Sequence, residues 1–385
     1  MYVKDTDPSK ISLAIGAYRD EEGKPYIFEV VRKVEEEILK EKTNKEYLPI
    51  DGNQEFVTAA KKLVFGEDYK HLDQIVTVQT LSGTGALKVA AELLFKALPK
   101  GTKVYISDPT WPNHMDILNI AGFSDQVMYP YYDGTNNSLK FDAIIECLSK
   151  APEGSVVILH GCAHNPTGID PTKEQWKKII EVLKSRKLIP LIDLAYQGFG
   201  SGDVEEDSYV PRALAAEGFE LLVAQSFSKN AGLYGERIGA LHVVCAKKES
   251  IPRVLSNMKS IIRAMYSNPP CHGALIMAKI LNNPKYMAEW REELAKVAGR
   301  IKEMRKLLFD ELVALKTPGN WEHIITQIGM FSYTGLSPEQ SKAMVEKHHV
   351  YLLLSGRASM PGMNHKNYKY LAKAMHDVVT TIPKK

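Results

Sequence analysis

The feature that most constrains this chain is a set of apolar, β-branched runs that recur between amphipathic stretches. The runs lie at 75–78, 104–107, 156–160, 189–193, 221–225 and 239–244. Several are almost continuous in apolar character, which suits strands buried on both faces of a largely parallel sheet. Between them, 87–98 and 173–187 place apolar residues at helical spacing. Strands alternating with helices predict an α/β sheet with right-handed crossovers. In such a sheet the ligand edge is fixed, because open α/β sheets bind at the carboxyl ends of their strands.

The two ends of the chain read differently. A charged amphipathic helix is predicted at 28–42 and a long Lys/Glu/Arg-rich helix at 287–314. A short strand (329–334), a helix (338–348), another short strand (350–354) and a last helix (367–379) follow. The expected architecture is therefore α/β. A large domain, residues 25–297, holds a mostly parallel mixed sheet flanked by helices. A smaller α+β domain is built from 1–24 and 298–385.

At 385 residues the chain has room for two to three domains and needs no staple. Lys plus Arg (49) barely exceeds Asp plus Glu (46), so the net charge is +3 and no nucleic-acid partner is expected. No apolar run approaches the roughly 18 residues of a membrane span, so no membrane partner is expected either. The four cysteines show no C-x-x-C spacing, which favours a reducing compartment. The first residues lack the apolar core of a secretory signal, so a cytoplasmic location is expected.

The informative residues follow the strands. Ser82-Gly83-Thr84-Gly85 follows the first, and Asp108-Pro109-Thr110-Trp111-Pro112-Asn113-His114 the second. Gly161-Cys162-Ala163-His164-Asn165-Pro166-Thr167-Gly168 follows the third. Asp193-Leu194-Ala195-Tyr196 closes the fourth and Ser226-Phe227-Ser228-Lys229-Asn230 the fifth. Five polar clusters thus converge on one sheet edge.

Ser82, Gly83 and Thr84 open a predicted helix, where free amides and hydroxyls make an anion site or, equally, a plain helix cap. Lys229, just after a buried strand, is placed for a lowered pKa and imine chemistry; alone it would read as a solvated lysine. Asp193 ends an apolar strand and needs a partner, in a site or in a structural ion pair. Arg237, Arg263 and Arg357 each stand outside any charge run, which suits bidentate pairing with carboxylate or phosphate as well as an ordinary ion pair. His160 and His164 flank Cys162, but a segment crossing from strand to loop does not put both rings on one face, so no metal site is expected. The acidic run 203–207 reads as a solvated loop.

Together these clusters resemble the class I aminotransferases, and among them the aspartate aminotransferases. The closest stretch is Gln225-Ser-Phe-Ser-Lys229-Asn-Ala-Gly-Leu-Tyr-Gly-Glu-Arg237-Ile-Gly, with His160-Gly-Cys-Ala-His-Asn165-Pro-Thr-Gly, Asp193-Leu-Ala-Tyr196 and Tyr266-Ser-Asn-Pro-Pro270 beside it. The resemblance implies pyridoxal 5′-phosphate (PLP) as cofactor, a PLP-binding large domain and transfer of an amino group. The amino group moves from L-aspartate to 2-oxoglutarate, by ping-pong half-reactions through a pyridoxamine form. A broader aspartate and aromatic activity is the alternative.

It also implies roles. Lys229 forms the imine with PLP and moves the proton, Asp193 pairs with the pyridine nitrogen, and Tyr196 and Asn165 reach the phenolic oxygen. Trp111 stacks on the ring. Ser82, Gly83, Thr84, Ser226 and Arg237 hold the phosphate, and Ser228 also borders the cofactor. Gly16, Trp111 and Asn165 border the substrate, and Arg357 clamps its α-carboxylate. Tyr47 and Arg263 are implied to reach across a homodimer to the neighbouring site, Arg263 clamping the distal carboxylate. Two residues depart from the family pattern: Ala231 stands where a Phe is usual, and Ser359 where an Asn is common.

Overall fold

The structure, a computed structural model, describes residues 2–384. In chain order its first elements are β1 (Ile11–Ser12), α1 (Glu29–Glu41), α2 (Gln54–Phe65), β2 (Ile75–Leu81), α3 (Ser82–Ala97) and β3 (Val104–Asp108). Next come α4 (Asn113–Ala121), β4 (Gln126–Pro130), β5 (Tyr132–Asp133), β6 (Ser138–Leu139), α5 (Phe141–Ser149), β7 (Val156–His160) and α6 (Lys173–Ser185). Then follow β8 (Ile189–Leu194), α7 (Tyr209–Ala216), β9 (Leu221–Ser226), β10 (Ile238–Val244), α8 (Ile251–Met265), α9 (His272–Asn282) and α10 (Pro284–Ala314). The chain closes with α11 (His323–Thr326), β11 (Phe331–Tyr333), α12 (Pro338–His348), β12 (Val350–Tyr351), β13 (Arg357–Ser359) and α13 (Tyr368–Thr381).

Seven strands form the central sheet in the order β2-β10-β9-β8-β7-β3-β4. All neighbouring pairs are parallel except those of β10, which runs antiparallel to both β2 and β9. Successive strand residues enter opposite cores. Val156 and Ile158 pack with α3, α4 and α8, whereas Val157 and Leu159 pack on the other side. Burial on both faces is why these strands read as unbroken apolar runs rather than as alternating ones.

The ends of the chain meet. β1 pairs parallel with β12, and β11 pairs antiparallel with β13. The 31-residue α10 ties this region to the sheet. Its Trp290 indole N–H donates to Asn230 O at 2.7 Å, and its Glu293 accepts the amides of Glu29 and Val30.

Two sequence expectations need correction. Asp207, assigned to a solvated loop, is buried and accepts the amides of Gly198, Gly200 and Ser201 at 2.7–2.9 Å. The reason is that the Gly-rich turn before it leaves amides unpaired, and a carboxylate satisfies three at once. His160 and His164, assigned to different faces, bring their ring centres to 4.1 Å. The loop after β7 doubles back, with Ala163 in the left-handed region at φ 51°.

Candidate active site

The carboxyl ends of β2, β3, β7, β8 and β9 lie on one edge of the sheet. Because β10 is reversed, its start lies there too, and Arg237 immediately precedes it. Register then fixes neighbours: Ile238 lies opposite Leu81, Gly239 opposite Ser226, and His160 opposite Asp193.

β2 runs directly into α3, with Ser82 at φ 60° making the turn. No side chain caps this helix start. The hydroxyls of Ser82, Ser226 and Ser228 cluster, with Ser82 Oγ at 2.9 Å from Ser226 Oγ and 2.6 Å from Ser228 Oγ. Arg237 Nη1 donates to Tyr234 O at 3.0 Å and lies 3.4 Å from Ser228 Oγ. Gly83 keeps the floor open, since a Cβ there would sit 3.2 Å from Ser226 Cβ. At Gly239 a Cβ would lie 2.5 Å from Gln225 O and 2.6 Å from the Ser82 carbonyl carbon. Only glycine lets the reversed strand pass so close behind the turn. An uncapped helix start, three hydroxyls and a guanidinium make a cradle for a phosphate.

Beyond the cradle, Asp193 is buried at the end of β8, and His114 Nε2 donates to its Oδ2 at 2.9 Å. The other nitrogen of His114 lies 2.8 Å from Thr110 Oγ1, which fixes the ring. Burial pushes the Asp193 carboxyl up, but the His114 hydrogen bond and the electrostatic influence of His114, His160 and Lys229 outweigh it, and the net direction is down. Burial lowers the pKa of Lys229; the Asp193 charge opposes this and Arg237 reinforces it. The Lys229 Nζ lies 5.4 Å from the Tyr196 ring centre. Burial likewise pushes the Tyr196 phenol up.

These groups surround one cavity of about 350 Å³. Of the residues singled out from sequence it is lined by Gly16, Ser82, Gly83, Thr84, Trp111, Asn165, Asp193, Tyr196, Ser226, Ser228, Lys229, Arg237 and Arg357. Larger clefts of about 650 and 810 Å³ contain none of them. Tyr47 and Arg263 do not line the cavity. Tyr47 is exposed and makes its contacts locally, and the exposed Arg263 donates to Ser267 Oγ.

Sequence reasoning passed over Leu87, Ala195, Tyr234 and Phe331. Tyr234 was within reach, standing in the Gly-Leu-Tyr-Gly stretch between Lys229 and Arg237. Phe331 carries the Arg357 guanidinium over its ring at 4.4 Å and meets Tyr196 edge-on at 5.8 Å. No local signal marks it, because its role comes from a strand pairing across the chain. Of the two departures, Ala231 is buried in the core, and Ser359 is buried with a hydroxyl that has no partner among the described residues.

The residues present fit PLP. The cradle suits its phosphate, Asp193 its ring nitrogen and Lys229 its aldehyde. Asn165 lines the same cavity, and its side-chain amide has the N–H donors that suit the phenolic oxygen.

Comparison with known proteins accounts for this assembly. The sequence family described as aminotransferase class I and II matches residues 8–375, and the chain belongs to it. It is 49% identical over 378 residues to the cytoplasmic aspartate aminotransferase of Dictyostelium discoideum, covering 98% of this chain and 86% of that protein. Among solved structures, the broad-specificity aminotransferase of Leishmania mexicana superposes with a TM-score of 0.96 at 46% identity, covering 99% of this chain and 94% of the other. The aromatic-amino-acid aminotransferase of Burkholderia pseudomallei, covalently bound to pyridoxal phosphate, gives 0.96 at 40% identity, covering 98% and 94%.

Proposed function

We propose that this chain is a PLP-dependent aminotransferase that converts L-aspartate and 2-oxoglutarate to oxaloacetate and L-glutamate. The observation that carries this reading is one cavity with a phosphate cradle at one end, Lys229 and Asp193 in the middle and Arg357 at the other. When bound, PLP supplies an aldehyde that takes up the amino group and a protonated ring that draws electrons from the α-carbon. Asp193, held ionised by His114, keeps the ring nitrogen protonated. Lys229, with its pKa lowered by burial, offers a free amine that moves the proton from the substrate's α-carbon to the cofactor carbon that receives it. Asn165 and Tyr196 donate to the cofactor's phenolic oxygen, and Trp111 covers the ring face. Arg357 binds the α-carboxylate.

The active unit in this proposal is a homodimer. Tyr47 of the partner subunit reaches the phosphate and Arg263 of the partner subunit takes the distal carboxylate; the exposure of both in the single chain supports this. A neutral side chain would leave that arginine unpaired, which favours dicarboxylic substrates. Residues 25–297 form the cofactor domain and 1–24 with 298–385 the smaller one, a division supported by the β1–β12 pairing. No helix among the described residues is long and apolar enough to cross a membrane. A cytoplasmic location is proposed from the cytoplasmic relatives.

A broader choice that includes aromatic amino acids is the second reading, favoured by the likeness to the broad-specificity enzyme. The test is the absorbance of the PLP-loaded protein before and after L-aspartate, with no keto acid present. Replacement of the aldehyde form of the cofactor by its amine form is expected. A cofactor that binds but ignores aspartate would overturn the substrate. Equal turnover of phenylalanine and aspartate would replace the narrow reading by the broad one.

A further inference from the structure

Arg305 is the one guanidinium in the described chain that is fully buried, at 2% exposure. No carboxylate pairs with it among the described residues. Its donors go to three main-chain carbonyls: Ile324 O at 3.0 Å, Gly329 O at 2.9 Å, and Phe331 O. Its Nε has no partner among the described residues. Burial alone lowers its pKa, to about 9. Burying a charge with no counter-ion is costly. If this position of α10 served packing only, a methionine or leucine would fill it at less cost. What the guanidinium adds is direction: several donors in a fixed fork.

The segment it grips faces the cavity from behind. Phe331, whose carbonyl Arg305 holds, presents its ring to the Arg357 guanidinium at 4.4 Å. Tyr333, two residues on, is paired in register with Arg357. The same segment abuts the loop that carries Asn165. Ile328 N donates to Gly168 O at 2.7 Å, and a Cβ on Gly329 would lie 2.5 Å from the Ala163 Cβ. The strands here are only three residues long; the Met330 carbonyl accepts the Met360 amide at 2.8 Å and Gln327 holds Ser332 and Tyr333, but the carbonyl of Phe331 itself is gripped by Arg305.

We propose that Arg305 is a positioning residue for substrate carboxylate recognition: by tethering the Gly329 and Phe331 carbonyls it sets the ring that aims Arg357. This rests on the dicarboxylate reading above. Arg305 touches neither cofactor nor substrate, so its loss acts on carboxylate binding and leaves cofactor binding alone.

The experiment titrates succinate, a dicarboxylate that cannot react, into the PLP-loaded wild type, Arg305→Met and Arg305→Lys, reading the cofactor's absorbance. PLP affinity is measured in parallel. Succinate binding is expected to weaken roughly ten- to a hundredfold in Arg305→Met, as for other misplacements of a binding group by about 1 Å. Arg305→Lys should weaken it less, since an ammonium keeps the charge but not the fork. PLP affinity should stay within about twofold of wild type. In an Arg357→Lys background the Arg305 substitution should add less than about threefold, because both act through one guanidinium. Unchanged succinate binding in either folded variant overturns the proposal. So does an equal loss of succinate and PLP binding, which marks a merely structural role, or full additivity with Arg357→Lys. Should Arg305→Met fail to fold, Arg305→Lys decides. A wild-type holoenzyme that ignores succinate overturns the dicarboxylate reading itself, and is seen before any variant is made.

Discussion

The phosphate cradle around Ser82 and the wall around Phe331 face each other across one cavity, yet they are held in different ways. The cradle hangs from three adjacent long strands, β2, β10 and β9, whose register fixes Leu81, Ile238, Gly239 and Ser226 as neighbours. The wall hangs from two three-residue strands, a tethering arginine and the side chain of Gln327, which accepts from Ser332 Oγ and Tyr333 N. A sheet of seven strands positions a group through many shared hydrogen bonds, so one loss is absorbed by the rest. A short ladder positions it through a few, and each counts. In the proposed reading, the part that would hold a constant cofactor is built stiffly, and the part that would meet the changing substrate is built on fewer supports.

Four predictions test that contrast. Lys229→Ala should reduce turnover by roughly 10⁴-fold or more, as for other covalent catalysts that lose their nucleophile. PLP should still bind through the cradle, and equilibrium dialysis with absorbance checks both halves. Arg357→Ala should cost roughly 10³-fold in kcat/KM for aspartate and 2-oxoglutarate alike, with PLP affinity unchanged; a loss of PLP affinity would mean that wall and cradle are not separable. Gly239→Ala strikes the cradle from behind, since the added methyl meets two backbone atoms. It should destabilise the fold by about 3 kcal/mol in urea unfolding and weaken PLP binding with it. His114→Phe should have the smallest effect. It removes the hydrogen bond that helps hold Asp193 below its ordinary carboxyl range. The Asp193 pKa should then rise, and the acid limb of the pH–rate profile should move to higher pH. The sign for stability is the same. A carboxyl held low in the folded state stabilises it above the ordinary carboxyl range, and that contribution is lost as pH falls through the depressed value.

The cradle was legible in the sequence and the wall only partly so, and their construction explains why. Buried parallel strands announce themselves as apolar runs, and the residues after each run must lie on one edge. Ser82, Asn165, Asp193 and Lys229 could therefore be brought together from spacing alone. The strand expected at 329–334 exists, but as Phe331–Tyr333, and β13 was not expected at all. Short strands carry too few residues to show a period. β4 escaped notice for a related reason: it is an edge strand, half exposed and less apolar. Helices α2, α4, α5, α7, α8 and α9 went unassigned between the stronger signals. Arg305 gave no sign of burial, because an arginine in a Lys/Glu/Arg-rich helix looks like every other charge on it.

That helix has one more consequence. Trp290 on α10 holds the carbonyl of Asn230, next to Lys229, and Arg305 on the same helix holds Phe331. Fifteen residues of α-helix separate them, about 22 Å of rise along a single rod. The helix therefore acts as a ruler between the lysine side of the cavity and its far wall. One residue inserted between 290 and 305 would lengthen the ruler by about 1.5 Å and turn its far end by about 100°, so a chain of this kind can change almost any loop more freely than the count of residues in that rod.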